Sequence, residues 1–270
     1  MGMHDLHIHT SLCNHASGAM IEYVRSAIRA GLESMGFSDH NPLVPGYESR
    51  FRMAIREMDI YLRTISALRE RFNGTIEIKL GIELDYVAEE EDFLRDFITR
   101  YPFDYIIGSV HYLRHLTKNE YVYLNEIPIG EGKKYFPIYF EKIQKAAESE
   151  LFDVVAHFDL PKKFWGKMSD EEYQLAENAL KTISRKELTL EINTSGLRTN
   201  GVNETFPGKE LISLARENGI QFVLGSDSHS PADVGSHLAE AVNILKESGV
   251  ENIVSFEKRR RYTIPIDSWR

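Results

Sequence analysis

The chain has 270 residues, 42% of them hydrophobic, which is enough to bury a sizeable core. Its formal charge of -9 disfavours a general nucleic-acid binder, whose phosphate affinity comes from clustered Lys and Arg, and the lone Cys13 excludes an internal disulfide and a cysteine-rich zinc site. No apolar run approaches membrane-spanning length and no export signal is visible, so a cytoplasmic location with no membrane partner is expected.

Taken in chain order, the first expected strand covers residues 3 to 9, where His7 and His9 share one face and Ile8 takes the other. An isolated pair of this kind is most often two ordinary histidines and becomes a metal motif only if further ligands recur. Ile21, Val24 and Ile28 mark a helix stopped by Gly31, and a strand follows at 34 to 38. Tyr61, Ile65, Leu68 and Phe72 mark a second helix. Three strands come next, "IEIKLGIEL" at 76 to 84, "FDYIIGSVH" at 103 to 111 and "FDVVAH" at 152 to 157.

Tyr173, Ala176, Leu180 and Ile183 then space a helix, followed by the strand "LTLEIN" at 188 to 193. Leu211 and Leu214 precede Gly219, the last strand "IQFVLGSD" runs from 220 to 227, and Val234, Leu238, Ala241 and Leu245 form a final helix before Gly249. The "KRRR" of Lys258 to Arg261 reads as a solvated face. With no linker, repeat or low-complexity stretch, residues 1 to 270 are expected to form a single domain.

Strand and helix alternate, which predicts parallel strands with helices outside, either a closed barrel or a doubly wound open sheet. The polar residues favour the barrel. Each strand ends in a potential metal ligand or phosphate contact: His7 and His9, then Asp39 and His40, Glu83, His111, His157, Asn193, and Asp227 with His229. A doubly wound sheet gathers its site at one switch point, whereas a barrel brings every strand end to one mouth. His4, His115 and His237 fall outside this pattern; Cys13 and Asp5 could also bind, but Cys13 lies off the strand and an oxygen-and-imidazole site has little need of a thiolate.

The motifs HxHT, "SDH" (38 to 40), "GIELDY" (81 to 86), "GSVH" (108 to 111), "AHFD" (156 to 159), "EINTSGLR" (191 to 198) and "GSDSH" (225 to 229) together resemble the PHP family of polymerase and histidinol phosphatase domains. The resemblance spans nearly the whole chain. It is strongest to the stand-alone bacterial histidinol-phosphate phosphatases, which also share "DHNPL", Arg52 with Met53, and "DYIIGSVHYL".

The resemblance implies a distorted (β/α)7 barrel holding three divalent metal ions at the C-terminal ends of its strands. By position, the first ion takes His7, His9, Glu83 and Asp227, the second Glu83, His111 and His157, and the third His15, His40 and His229. Zinc, manganese and iron all suit such ligands. The implied reaction is hydrolysis of L-histidinol phosphate, a small-molecule phosphate ester, in histidine biosynthesis.

Paired divalent ions about 3.5 to 4 Å apart can activate water and clamp the oxygens of a phosphate dianion, with Glu83, Asp227 and His229 at the reacting centre. Arg198 is the leading phosphate clamp because a guanidinium meets two oxygens in one plane, and Lys162 and Lys163 are weaker candidates. Asp39, Asp159 or a water at the metals would protonate the leaving group. Tyr86, Tyr112 and Glu48 are candidate contacts to the imidazole and amine. The alternatives are a PHP phosphoesterase acting on nucleotides or short oligonucleotides, and a metal-binding scaffold that would have no use for the arginine.

Overall fold

The computed structural model describes residues 2–42 and 51–268; Leu43 and Glu48 lie outside them. The first strands are β1 (Met3–Ile8), β2 (Leu32–Phe37), β3 (Glu77–Asp85) and β4 (Tyr105–Ser109), followed by β5 (Tyr112–Arg114) and β6 (Tyr121–Tyr123). Then come β7 (Val154–Val155), β8 (Thr189–Asn193), β9 (Phe222–Gly225), β10 (Asn252–Glu257) and β11 (Arg260–Pro265). Seven of these make one parallel sheet in the order β1-β2-β3-β4-β7-β8-β9.

Its two edges meet where the His9 amide donates to the Ser228 carbonyl at 3.0 Å and the Ser228 amide to the His7 carbonyl at 3.3 Å. The result is a nearly closed barrel, as the strand-end ligands imply. The helices are α1 (Met20–Arg29), α2 (Met58–Arg71), α3 (Glu91–Thr99), α4 (Phe136–Glu148), α5 (Lys162–Trp165), α6 (Asp170–Arg185), α7 (Lys209–Glu217) and α8 (Leu238–Glu247). Among the described residues no helix is long and apolar enough to cross a membrane.

Strand alternation builds two cores. In β3, Ile78, Leu80, Ile82 and Leu84 pack outward in the main hydrophobic cluster, so Lys79, Gly81, Glu83 and Asp85 take the opposite, inward face. Inside the barrel a smaller cluster joins Leu6, Tyr105, Ile107, Val154, Ala156 and Val223 to Val254 and Phe256 of the β10–β11 hairpin. Tyr105 spans this interior and donates to the Leu6 carbonyl at 2.6 Å. Gly36 and Gly81 make room for it, because a Cβ at either position would overlap the tyrosine side chain. The strand ends therefore stand over an apolar floor.

The sequence reading passes over α3, α4 and both hairpins. Helix α4 buries Phe136, Tyr139, Phe140, Ile143, Ala146 and Ala147, a one-sided stripe at i, i+3, i+4 and i+7 spacing that was legible in the sequence. The turn between β10 and β11 holds Lys258 and Arg259 at φ 49 and 63, in a conformation usually signalled by Asn-Gly or Asp-Gly. Nor are the basic residues here simply a solvated face: Arg259 Nε donates to Asp153 Oδ2 at 2.9 Å, and the Arg259 amide to the Asp104 carbonyl at 2.7 Å.

Replacing Gly81 with Ala should cost about 1–3 kcal/mol in chemical denaturation, because the added methyl group must displace the Tyr105 ring. A loss indistinguishable from zero would mean that the barrel interior has room to spare.

Candidate metal centre

The two histidines of the opening motif converge as strand geometry requires: His7 Nε2 and His9 Nε2 lie 3.1 Å apart, both fully buried, while Ile8 packs outward. Glu83 sits at the centre of the group. His40 Nδ1 is 2.8 Å from Glu83 Oε2, and His7 and His9 Nε2 are 3.6 and 3.7 Å from that same oxygen. The other oxygen, Oε1, faces His157 Nε2 at 3.0 Å and His111 Nε2 at 3.8 Å. Asp227 Oδ1 approaches His9 Nε2 at 3.1 Å, and the His229 ring stacks on that of His9 with centroids 4.0 Å apart.

The group around Glu83 and the third set, His15, His40 and His229, share one region. Donor atoms lie within 4.8 Å of one another in four groups: His7–His9–Glu83, His15–His40–His229, His40–Glu83–His111 and His9–Cys13–His229. The first two match the expected sets. The last brings in Cys13, because the turn Ser11–Cys13, capped by Thr10, folds the buried thiol back over the strand end.

These residues fit divalent metals. Glu83 Oε2 and His40 Nδ1 are buried and make no hydrogen bond although they face each other at 2.8 Å. Spacings of 3–4 Å suit neighbouring ligands on an ion with bonds of about 2.0–2.2 Å. Carboxylates stand behind the imidazoles: His111 Nδ1 donates to Asp85 Oδ2 at 2.9 Å and His9 Nδ1 to Asp39 Oδ1 at 3.3 Å, which turns each Nε2 inward. Two residues of the set adopt positive φ, His157 at 22 and Asp227 at 52, the kind of backbone strain that collects at functional sites.

Charge divides the histidines of the site. Burial alone would raise the Glu83 carboxyl, but His40, His7, His111 and the hydrogen bond from His157 hold it well below the usual range. Burial, reinforced by the neighbouring charge of His9, pushes His229 down to about 3, and burial also carries His40 and His111 well below the ordinary value. His7 goes the other way: Glu191, Asp227 and Glu83 outweigh its burial.

Above the group lies a cavity of about 350 Å³. His15, His40, Glu83, His111, His157, Asp227 and His229 line its polar side, and Phe51, Tyr123, Asn125, Leu160, Lys163 and Phe164 the rest. Lys162 is not on this wall. Its ammonium is committed to Asp159 Oδ2 at 2.7 Å, the Thr205 carbonyl at 2.9 Å and Glu204 Oε1 at 3.0 Å, while Lys163 lines the cavity. Arg198 also stands off the wall. Its Nη2 donates to the Ser226 carbonyl at 2.7 Å, and its Nη1 is buried without a partner.

Asp159 and Asp39 are not among the residues that line the cavity; Asp39 stands behind His9 and Asp159 beneath the Lys162 ammonium. Sequence reasoning missed Asp85, two residues beyond Glu83 on the same face, and the rim residues Phe51, Tyr123, Asn125 and Phe164, which carry no periodic signal. It also missed Glu191, a charged residue in the middle of an otherwise buried strand.

A PHP domain family model matches residues 5–195. A Deinococcus radiodurans protein named a probable histidinol-phosphatase is 36% identical over 259 residues, covering 96% of this chain and 98% of the relative. The histidinol-phosphatase of Bacillus subtilis is 31% identical over 258 residues, covering 87% and 96%. A Lactococcus lactis histidinol phosphate phosphatase, solved with zinc, L-histidinol and phosphate, shares the fold with a TM-score of 0.79 at 22% identity over 96% of this chain and 98% of its own.

Since a ligating imidazole must be neutral, protons compete with metal as pH falls through the ordinary histidine range near about 6.5. Because burial keeps His40, His111 and His229 neutral well below that range, metal content after dialysis should be high at about pH 8 and be lost by about pH 3. Equal retention at both values would contradict histidine ligation.

Proposed function

The chain belongs to the PHP domain family, and from that premise we propose that it is a metal-dependent phosphomonoesterase hydrolysing L-histidinol phosphate to L-histidinol and phosphate in histidine biosynthesis. The observation that carries this reading is the convergence of seven histidines and two carboxylates at the barrel mouth, five of the histidines and both carboxylates lining one cavity of small-molecule size. The names of relatives at 36% and 31% identity supply the substrate.

In this reading His7, His9, Glu83 and Asp227 hold the first of three ions, Glu83, His111 and His157 the second, and His15, His40 and His229 the third. Divalent ions bound there would polarise the phosphate oxygens and make water a competent nucleophile at neutral pH. Lys163, on the cavity wall, meets the phosphate, while Arg198, off that wall, holds the Ser226 carbonyl beside Asp227 through Nη2. Phe51, Tyr123 and Phe164 give aromatic surface against which an imidazole can pack, and Asn125 a donor and an acceptor for its ring nitrogens. We assign the whole chain to one domain working in the cytoplasm.

A nucleotide or oligonucleotide phosphoesterase would share the ion-binding residues. Lys163 is the one lysine or arginine among the described residues lining the cavity, which is too little positive charge to track a nucleic-acid backbone.

Initial rates on histidinol phosphate, nucleoside monophosphates and a chromogenic ester test the reading. Histidinol phosphate should lead in kcat/KM by at least about a hundredfold, the discrimination open to a site that hydrogen-bonds its substrate. Comparable rates on nucleotides would overturn it. Lys163→Ala should lower kcat/KM about tenfold to a hundredfold, as befits a charged hydrogen bond of about 1.5–3 kcal/mol, with metal content unchanged. Lys162→Ala should instead lower thermal stability, since it strands the buried Asp159 carboxylate.

A further inference from the structure

Glu191 lies on the inward face of β8 and is fully buried. Its Oε1 accepts from His7 Nδ1 at 2.6 Å, and its Oε2 from the His157 backbone amide at 2.9 Å and from Asn193 Nδ2 at 3.1 Å. The same Asn193 amide reaches Asp227 Oδ2 at 3.2 Å. One carboxylate thus ties together residues that follow or belong to three other strands: His7 of β1, His157 beyond β7 and, through Asn193, Asp227 beyond β9. Space for it is reserved at Gly225, where a Cβ would overlap Glu191 Oε1 and stand 2.6 Å from the His7 Cβ.

We propose that Glu191 is a positioning residue that sets the ring orientation and tautomer of His7 and the backbone path of His157, and so preassembles the ion-binding face of Glu83. A carboxylate only accepts hydrogen bonds. Facing Glu191, His7 must therefore carry a hydrogen on Nδ1, which leaves the Nε2 lone pair directed at His9 and Glu83. His157 has a left-handed backbone with φ 22, disfavoured for a residue with a side chain, and its amide donating to Glu191 helps to hold that conformation. No lysine or arginine ion pair engages Glu191 among the described residues, so its partners are these ligand-bearing groups.

Glutamine at this position keeps the shape but cannot satisfy both neighbours. Turned one way, its amide opposes the His157 N–H with a second donor; turned the other, it donates to His7 Nδ1 and forces the hydrogen onto Nε2. The expected result for Glu191→Gln is affinity about 10- to 100-fold weaker for at least one zinc ion, measured by competition with a chromophoric chelator on the loaded full-length protein. The melting temperature of the chelator-stripped protein should stay close to that of the stripped parent. Glu191→Asp, which keeps the charge but can reach only one of its two partners, serves if the glutamine variant does not fold and should fall between the parent and Glu191→Gln in zinc affinity.

Parent-like zinc affinity in the variants would overturn the proposal. So would a stripped variant destabilised as much as a loaded one, since Glu191 would then be a brace for the fold. The proposal rests on the metal reading of the site, and the two fail separately: a parent protein that binds no zinc refutes the reading itself.

Discussion

Glu83 is a carboxylate buried inside a ring of imidazoles, with His40, His157, His7, His9 and His111 between 2.8 and 3.8 Å from its oxygens. Burying a charge is costly unless it is neutralised locally, and crowding several histidines around it is costly too unless most stay neutral. A divalent ion meets both requirements by accepting the imidazole lone pairs while answering the carboxylate charge. Much of the structure consists of arrangements that keep this one group assembled.

A parallel barrel suits that demand because each strand delivers one or two side chains to the same mouth, and the alternation along β3 puts Glu83 inward while Ile82 and Leu84 pack against the helices. Beneath lies the apolar floor of Leu6, Tyr105, Ile107 and Val154, closed below by the β10–β11 hairpin. A dry floor lowers the local dielectric and strengthens the electrostatic contacts above it. Behind the imidazoles, Asp39, Asp85 and Glu191 fix which nitrogen faces the centre. The backbone strain at His157 and Asp227 is the local cost of aiming groups that an ideal strand end would direct elsewhere.

Much of this was legible in the sequence, for specific reasons. The side-chain period of two fixed the convergence of His7 and His9, and ligands recurring at every strand end distinguished a barrel from an open sheet. Which of two neighbouring lysines faces the cavity was not legible: a short helix begins at Lys162 and turns its ammonium into Asp159 and Thr205, leaving Lys163 on the wall. Cys13 was set aside for lying off the strand, yet a single turn returns it to His9 and His229. The rim residues Phe51, Tyr123, Asn125 and Phe164 sit on a turn, on or beside a short hairpin and on the short helix α5, whose tertiary placement no local pattern announces. Glu191 carried a faint signal, a charge within a strand otherwise reading as core.

Anomalous X-ray diffraction from crystals grown with zinc reports most directly on whether this ring of side chains is a metal centre. Three peaks are expected at the barrel mouth, two of them within about 2.0–2.2 Å of the Glu83 oxygens and the third beside His15, His40 and His229. A map with zinc elsewhere on the protein and no peak in bonding range of Glu83 would contradict the metal-based chemistry on which the proposed phosphatase depends.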